Sequence, residues 1–394
     1  MPRRRKTHYG EGSVYESPPG SGRWFAEVFD GHGKSVRRRA NSRDEAEAKR
    51  QALVRRRDGG LNVQGAAQTL ETFVNVWWER SVKEKGLAPK TLDDYRKTIA
   101  RYLLPDWGKH RLEEFEQNVT LVLDMQATLR RMYGPATAQR AIAKLSMLFN
   151  AAVRWKILRV NPVMLVREDL PVYKRKETVP LTLEQTICVL NAVEGHRLCA
   201  LYHTALTLGL RLGEILGLQW DDIDWQAQTI AIRHQVQETS GRVAVRNATK
   251  TDAGMRVLPV PPRLLSRLRQ LSETRGRSPF LFPSEEGTLM IPSNFERHWR
   301  GGLARSYTKK DGTRSKSVIV GVRQKAGLPT SVKFHHLRHT VATRLMEQGT
   351  PDEIRDAIMG HGKKGIRGHY AHATIQAMRA ALEQYEQRLW AQAA

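Results

Sequence analysis

One stretch constrains this chain more than any other, the run from Lys333 to His372, KFHHLRHTVATRLMEQGTPDEIRDAIMGHGKKGIRGHYAH. It holds His335-x-x-Arg338, an apolar helical run, Met359-Gly360-His361, and Tyr370 beside His369. His335 and Arg338 are three apart and so share one helix face. A fold that keeps this pattern must gather cationic and imidazole groups around a single tyrosine. Such a cluster can hold the charge of a phosphate while a phenolate attacks it.

The order His335-His336-Leu337-Arg338-His339-Thr340, Met359-Gly360-His361, Tyr370 resembles that of the tyrosine recombinases, and among them the phage-type integrases. Their pattern is H-x-L-R-H-T, then L-G-H, then Y. Here Tyr370 falls nine positions beyond His361, the spacing of that family. Two further motifs stand upstream in the family's order. These are Gly209-Leu210-Arg211-Leu212-Gly213-Glu214, and Thr249-Lys250-Thr251 followed by Arg256-Val257-Leu258-Pro259. The resemblance covers residues 70–385 well and the first sixty more loosely.

The bulk properties agree. The 394 residues carry a net charge of +25 and are 40% hydrophobic, enough for two or three packed domains. A pI near 10.4 calls for a polyanionic partner. No apolar run approaches the ~18 residues a membrane helix needs, so nucleic acid is expected rather than a membrane. The opening PRRRK has no apolar segment behind it and does not read as a secretory signal. Cys188 and Cys199 have neither disulfide-framework nor zinc spacing. Both are expected to pack as small hydrophobes on helices, and a reducing cytoplasm fits.

The chain is predicted to be a multidomain α+β protein. Residues 1–60 read as three short strands and a helix. Ser13-Val-Tyr and Trp24–Phe29 are β-rich, Pro18-Pro19-Gly20 and Asp30-Gly31-His32-Gly33 supply turns, and Ser42-x-x-Glu45 opens a helix to about Arg57. Arg37, Arg38 and Arg39 would face DNA, and the unit resembles the arm-type DNA-binding domain of larger integrases. Residues 67–170 read as helical. One helix is expected over Thr69–Lys85 with Phe73, Val76 and Trp77 inward, and one from Pro89 with Tyr95, Ile99 and Tyr102 inward, ended by Leu104-Pro105. Two more are expected near Asn118–Met132 and from Pro135 to Trp155. The resemblance makes this the core-binding domain, with Lys90, Arg96, Lys97, Arg140 and Lys144 toward the duplex. Residues 171–180, with Lys174 and Arg175, form a basic linker across phosphates. Residues 181–394 form the catalytic domain, mainly α with a small antiparallel sheet, opened by a capping box at Thr182-x-x-Gln185.

Arg211 is expected at a helix start, where free N–H groups and a guanidinium fork both suit phosphate. Glu214 is placed to orient it. Thr229–His234 and Val243–Arg246 read as strands paired around Ser240-Gly241, and Arg256–Pro259 as a returning strand. The resemblance implies that Lys250 protonates the leaving 5′ oxygen and that Arg338 is the second arm of the phosphate clamp. It makes His335 a hydrogen-bond donor or proton acceptor, with His336 and His339 outside that role, and has His361 complete the site. Tyr370 is implied as the nucleophile. A phenol of pKa about 10 needs cationic neighbours to ionise. No metal-binding carboxylate cluster appears among these motifs, so neither metal nor cofactor is expected.

Two departures stand out. Three glycines in 362–368 should make the tyrosine segment mobile. Residues 301–324 form a basic insertion that either contacts DNA or is disordered. The tail from Thr374 to Trp390 reads as an amphipathic helix, either packed onto a neighbouring subunit, as the resemblance implies, or a core helix of its own domain. The implied function is site-specific recombination on double-stranded attachment sites, as a homotetramer. A host DNA-bending protein and an excision factor are candidate helpers. A topoisomerase-like enzyme and a non-catalytic DNA-binding regulator stand as alternatives.

Overall fold

The computed structural model describes residues 11–30, 33–174, 177–247, 255–274, 276–308, 314–361 and 374–391. The chain divides into two compact units, Met1–Arg175 and Lys176–Ala394.

The first unit begins with an antiparallel sheet in the order β1 (Ser13–Glu16), β2 (Trp24–Phe29), β3 (Ser35–Ala40), followed by α1 (Arg43–Asp58). Alternation along the strands sends Ala26, Val28, Val36 and Ala40 inward against Ala46 and Leu53 of α1. Ser42 caps α1 by accepting from the Glu45 N–H. The Glu45 carboxylate reaches back one residue further than a capping box requires, to the N–H of Asn41.

The rest of the unit is helical: α2 (Leu70–Trp77), α3 (Pro89–Tyr102), α4 (Leu104–Trp107), α5 (Leu112–Gln117), α6 (Thr120–Tyr133), α7 (Pro135–Arg154) and α8 (Pro162–Leu165). The long α7 is the spine, with Ile142, Leu145, Leu148 and Phe149 buried on one stripe. Two expectations need correction here. The first helix stops at Trp77 and widens into a π-turn over Trp78–Val82 rather than running on to Lys85. Val74, not Val76, takes the inward position beside Phe73 and Trp77, because i, i+1 and i+4 fall on the buried arc. As expected, α3 stops just before Leu104-Pro105, and that pair opens α4.

The second unit contains α9 (Leu183–Ala192), α10 (Cys199–Leu208), α11 (Leu212–Gly217), β4 (Ile223–Asp224), β5 (Thr229–Ile232), β6 (His234–Thr239), β7 (Arg242–Asn247), β8 (Arg256–Pro259) and α12 (Pro262–Glu273). It continues with α13 (Pro292–Arg300), β9 (Gly302–Thr308), β10 (Arg314–Ile319), α14 (Val322–Lys325), α15 (His335–Glu347), α16 (Asp352–Met359) and α17 (Ile375–Ala391). The Thr182–Gln185 capping box that opens α9 is present in both directions. Apolar on nearly every side, α10 is the buried pillar of this unit, with Leu201, Tyr202, Leu206 and Leu208 fully enclosed. Cys188 is a correction: it lies exposed, one residue before the inward pair Val189-Leu190.

The expected strand through Thr229–His234 is two strands. β5 is buried between β4 and β8, whereas β6 leaves that sheet and pairs only with β7. The β6–β7 turn is Ser240-Gly241, both at positive φ, the geometry of a two-residue hairpin. Within the basic insertion, β9 pairs with β10 in antiparallel register, and the residues between them lie outside the described residues.

Of the two placements open for the tail helix, the structure shows the one within its own domain. Met378, Leu382, Tyr385 and Leu389 of α17 enter the same core as α10 and α12. The Tyr385 hydroxyl donates to the Leu206 carbonyl at 2.8 Å. The Glu386 carboxylate accepts the N–H groups of Arg263 and Leu264 at the start of α12. Trp390 stacks on His203 at 5.8 Å and 10°.

Burial first, and then Arg267, hold the His203 pKa down, to about 4 from an ordinary 6.5. Between these values the unfolded chain binds a proton that the folded chain refuses. Stability is therefore full above pH 6.5 and is lost as pH falls through the window. We expect the urea midpoint of the chain to fall from pH 7 to pH 4. His203→Phe, which keeps the stack on Trp390, should remove about 2–3 kcal/mol of that pH dependence. An unchanged slope in the variant would contradict this burial.

Candidate active site

The site is assembled at the carboxy-terminal end of α10. There the chain turns through Gly209 at φ +60° and delivers Arg211 to the cap position of α11. Glu214, at the third position of α11, reaches back and accepts the Arg211 backbone N–H at 3.0 Å. That donor is thus occupied by the protein, and the phosphate-gripping capacity of Arg211 lies in its side chain. Its Nη1 sits 2.7 Å from Glu214 Oε1 while 41% of the side chain stays exposed. Gly213 lets β6 lie against α11, since a Cβ there would stand 2.6 Å from the Val236 carbonyl oxygen.

Arg338, on the first turn of α15, is buried. It donates through Nη1 to the Gly209 carbonyl at 2.8 Å and through Nη2 to the Met359 carbonyl at 2.5 Å. Burial first, and then Arg211, lower its pKa to about 10, so it stays charged at neutral pH. Arg338 thus ties the ends of α10 and α16 together and places a second cation beside Arg211.

His361 follows Gly360, whose φ of +63° ends α16. Arginine can only donate, so its 3.1 Å contact with His361 Nε2 makes that nitrogen the acceptor. The proton then sits on Nδ1 and is donated to Asp356 at 3.2 Å. Asp356 is a residue that the motif reading missed. It sits five residues before His361 on α16, and the bend at Gly360 brings the two side chains together at Nδ1.

His335 opens α15, its ring 4.7 Å from that of His339. Partial burial first, and then the positive neighbours His339, Arg338, Arg211 and His336, hold its pKa at about 4. At pH 7 it is therefore neutral and able to accept a proton. His336 is the less perturbed neighbour, and its carbonyl accepts the Thr340 hydroxyl.

Arg256 is a second residue that the reading left without a role. At the head of β8 its guanidinium meets Glu214 Oε2 at 3.0 Å and the Ile358 carbonyl at 3.0 Å. Burial pushes the Glu214 carboxyl up, but Arg256 and Arg211 outweigh it and hold it below the ordinary range. The structure thus brings Arg211, Glu214, His335, Arg338 and His361 to one place. Lys250, Tyr370 and Arg175 lie outside the described residues, as do the glycine-rich residues 362–368.

The residues expected to face DNA behave unequally. Arg37 is exposed and lies over the Tyr15 and Phe25 rings, and Arg39 is exposed. Arg38 turns inward, 3.6 Å from Glu113. Together with Lys49, Arg55 and Arg111, these three line an open cleft of about 810 Å³. Lys90, Lys97 and Arg140 line another, of about 650 Å³. Arg96 is exposed over Trp78, whereas Lys144 lies over Tyr95 and pairs with Asp94 at 3.0 Å. Lys174 is exposed. Among the described residues Glu194, Cys199 and His203 form the one group whose ligand atoms could approach a metal, and Glu194 already pairs with Arg267 at 2.9 Å.

In a histidine NMR titration of the free protein, His335 should show a midpoint near 4 rather than near 6.5. A midpoint above 6 would contradict the burial of the ring and the action of its cationic neighbours as placed.

The Phage integrase family model matches residues 181–377, half of the chain. A tyrosine recombinase XerC-like protein of Caldanaerobacter subterraneus subsp. tengcongensis is 25% identical over 379 residues, covering 90% of this chain and 92% of that protein. An integrase of Saccharopolyspora erythraea is 23% identical, covering 94% of each. A tyrosine recombinase XerD of Mycobacterium leprae is 26% identical over 79% of this chain and 95% of its own. Among solved structures, the Tn1549 transposon integrase in complex with transposon right end DNA shares the fold at a TM-score of 0.62. It is 20% identical, over 80% of this chain and 99% of that one. A lambda integrase dimer bound to a core site aligns over 95% of this chain and 97% of its own, with a TM-score of 0.55 and 18% identity. There is no helix among the described residues long and apolar enough to cross a membrane. With its second unit built around the motifs of that family, this chain belongs to the phage integrase family of tyrosine recombinases, whose class of activity is site-specific recombination.

Proposed function

We propose that the chain is an integrase that cuts and rejoins DNA through a 3′-phosphotyrosine on Tyr370. The observation that carries this reading is the cluster at the end of α10, where two guanidiniums stand beside a neutral imidazole and a second histidine. Arg211 and Arg338 would hold the non-bridging oxygens and stabilise the charge that builds on the pentavalent phosphorus. His335 would take the phenol proton or brace an oxygen. The Tyr370 oxygen would then bond to phosphorus as the bond to the 5′ oxygen breaks, with Lys250 protonating the leaving hydroxyl. The new ester keeps the energy of the phosphodiester, so a 5′ hydroxyl of another strand can reverse the step without ATP.

In this reading residues 1–60 bind arm-type sites, residues 67–170 and the linker 171–180 grip the core site, and residues 181–394 perform the chemistry. The two basic clefts of the first unit support the first two roles. A lambda integrase tetramer bound to a Holliday junction has the same fold over 94% of this chain. Strand exchange here is proposed to proceed likewise, in a tetramer on DNA within a bacterial cytoplasm. The substrate would be the attachment sites of a phage or other mobile element, with a host bending protein and an excision factor as accessory partners.

The test uses nicked suicide duplexes tiled across the DNA that flanks the chain's own coding sequence. A denaturing gel should show a slow covalent adduct that disappears in Tyr370→Phe. An adduct that persists in the variant would overturn the nucleophile. Tight binding with no adduct on any duplex would favour the regulator reading. Arg211→Ala should slow adduct formation at saturating DNA by on the order of 10². Duplex affinity should fall by roughly 0.9 log units per phosphate contacted for each tenfold rise in salt. A flat salt dependence would contradict DNA binding by both basic clefts.

A further inference from the structure

We propose that Arg256 is a positioning residue that neutralises Glu214 and so leaves the charge of Arg211 to the DNA phosphate. The proposal rests on the recombinase reading above and assigns a role at that same site.

The two arginines divide one buried carboxylate. Arg256 takes Glu214 Oε2 at 3.0 Å and lies 3.4 Å from Oε1, while Arg211 takes Oε1 at 2.7 Å. Their exposure differs sharply: 8% for the Arg256 side chain and 3% for that of Glu214, against 41% for Arg211. With Arg211 as sole partner, Glu214 would cancel the cation that has to meet the phosphate. With both arginines present the group carries a net single positive charge, and the exposed member presents it. Glu214 then orients Arg211 without cancelling it.

Arg256 is also a strut between three motifs that are distant in sequence. It begins β8, opposite Ile232 of β5. Its Nε donates to the Ile358 carbonyl in the last turn of α16. It lies so close under Gly360 that a Cβ there would be 2.6 Å from its Nη1. One planar side chain thus fixes α11, β8 and the turn that presents His361. A lysine would keep the charge but could not span a carboxylate and a carbonyl with the same fork.

The experiment measures single-turnover adduct formation at saturating DNA, on whichever nicked flanking duplex gives an adduct with the unsubstituted chain. R256M should slow cleavage by on the order of 10², the scale of a misplaced reacting group. The double variant R256M/E214Q restores the charge balance and should recover on the order of tenfold over R256M, a positive coupling in the double-mutant cycle. A pure strut would make the double variant slower than R256M, and that result would overturn the charge role. R256M cleaving at the unsubstituted rate would overturn the proposal as a whole. Thermal melts check that each variant is folded. If R256M is not, R256K carries the test and should stay within about tenfold of the unsubstituted rate. A loss as large as that of Arg211→Ala would overturn the charge role. Absence of any adduct from the unsubstituted chain would instead overturn the recombinase reading and, with it, this one.

Discussion

The buried carboxylate of Glu214 is the contact on which the rest of the site depends. An ionised carboxylate at 2% exposure is stable only with partners. It finds three: the Arg211 backbone N–H, the Arg211 guanidinium and the Arg256 guanidinium. Each comes from a different constraint. The first fixes how α11 starts, the second aims the exposed cation, and the third pins the head of β8 to the turn before His361. Losing any one would leave a buried charge short of compensation, which penalises other arrangements of these elements.

Behind that contact stands α10, a helix with no solvated face. Its burial against α12, α15 and α17 fixes the position of its last carbonyl, and Arg338 reads that position through the Gly209 oxygen. The same core accepts the tail helix, with Tyr385 bonded to the Leu206 carbonyl one turn before the site begins. The clamp and the tail are therefore supported by one pillar. Hydrophobic burial, which has no directionality, supplies the support. A few charge-assisted hydrogen bonds supply the aim.

Much of this was legible because the informative signals are local. The capping box at Thr182, the Pro135 start of α7 and the Ser240-Gly241 turn each follow from a few neighbouring residues and formed as expected, and Ser42 caps α1 without the reciprocal half of its box. The misreadings share a cause. The break between β5 and β6 at Arg233 is set by β8 pairing from far along the chain, and no local propensity marks it. Val74 displaces Val76 because the surrounding helices decide which arc of α2 is buried. Cys188 faces outward because Val189 and Leu190 already claim the inner face of α9.

The sequence by itself determined which chemical groups are available, in what order and at what spacing: His335 three before Arg338, Glu214 three after Arg211, His361 after a glycine. Those intervals are short and are set by helix geometry and turn sterics, so they survive without knowledge of the fold. Only the tertiary structure decided that Arg256 shares Glu214 with Arg211, that Asp356 fixes the His361 tautomer, and that α17 packs on its own domain. These contacts join residues from 5 to 179 positions apart. Their geometry comes from the packing of whole helices around α10, which no stretch of sequence expresses alone.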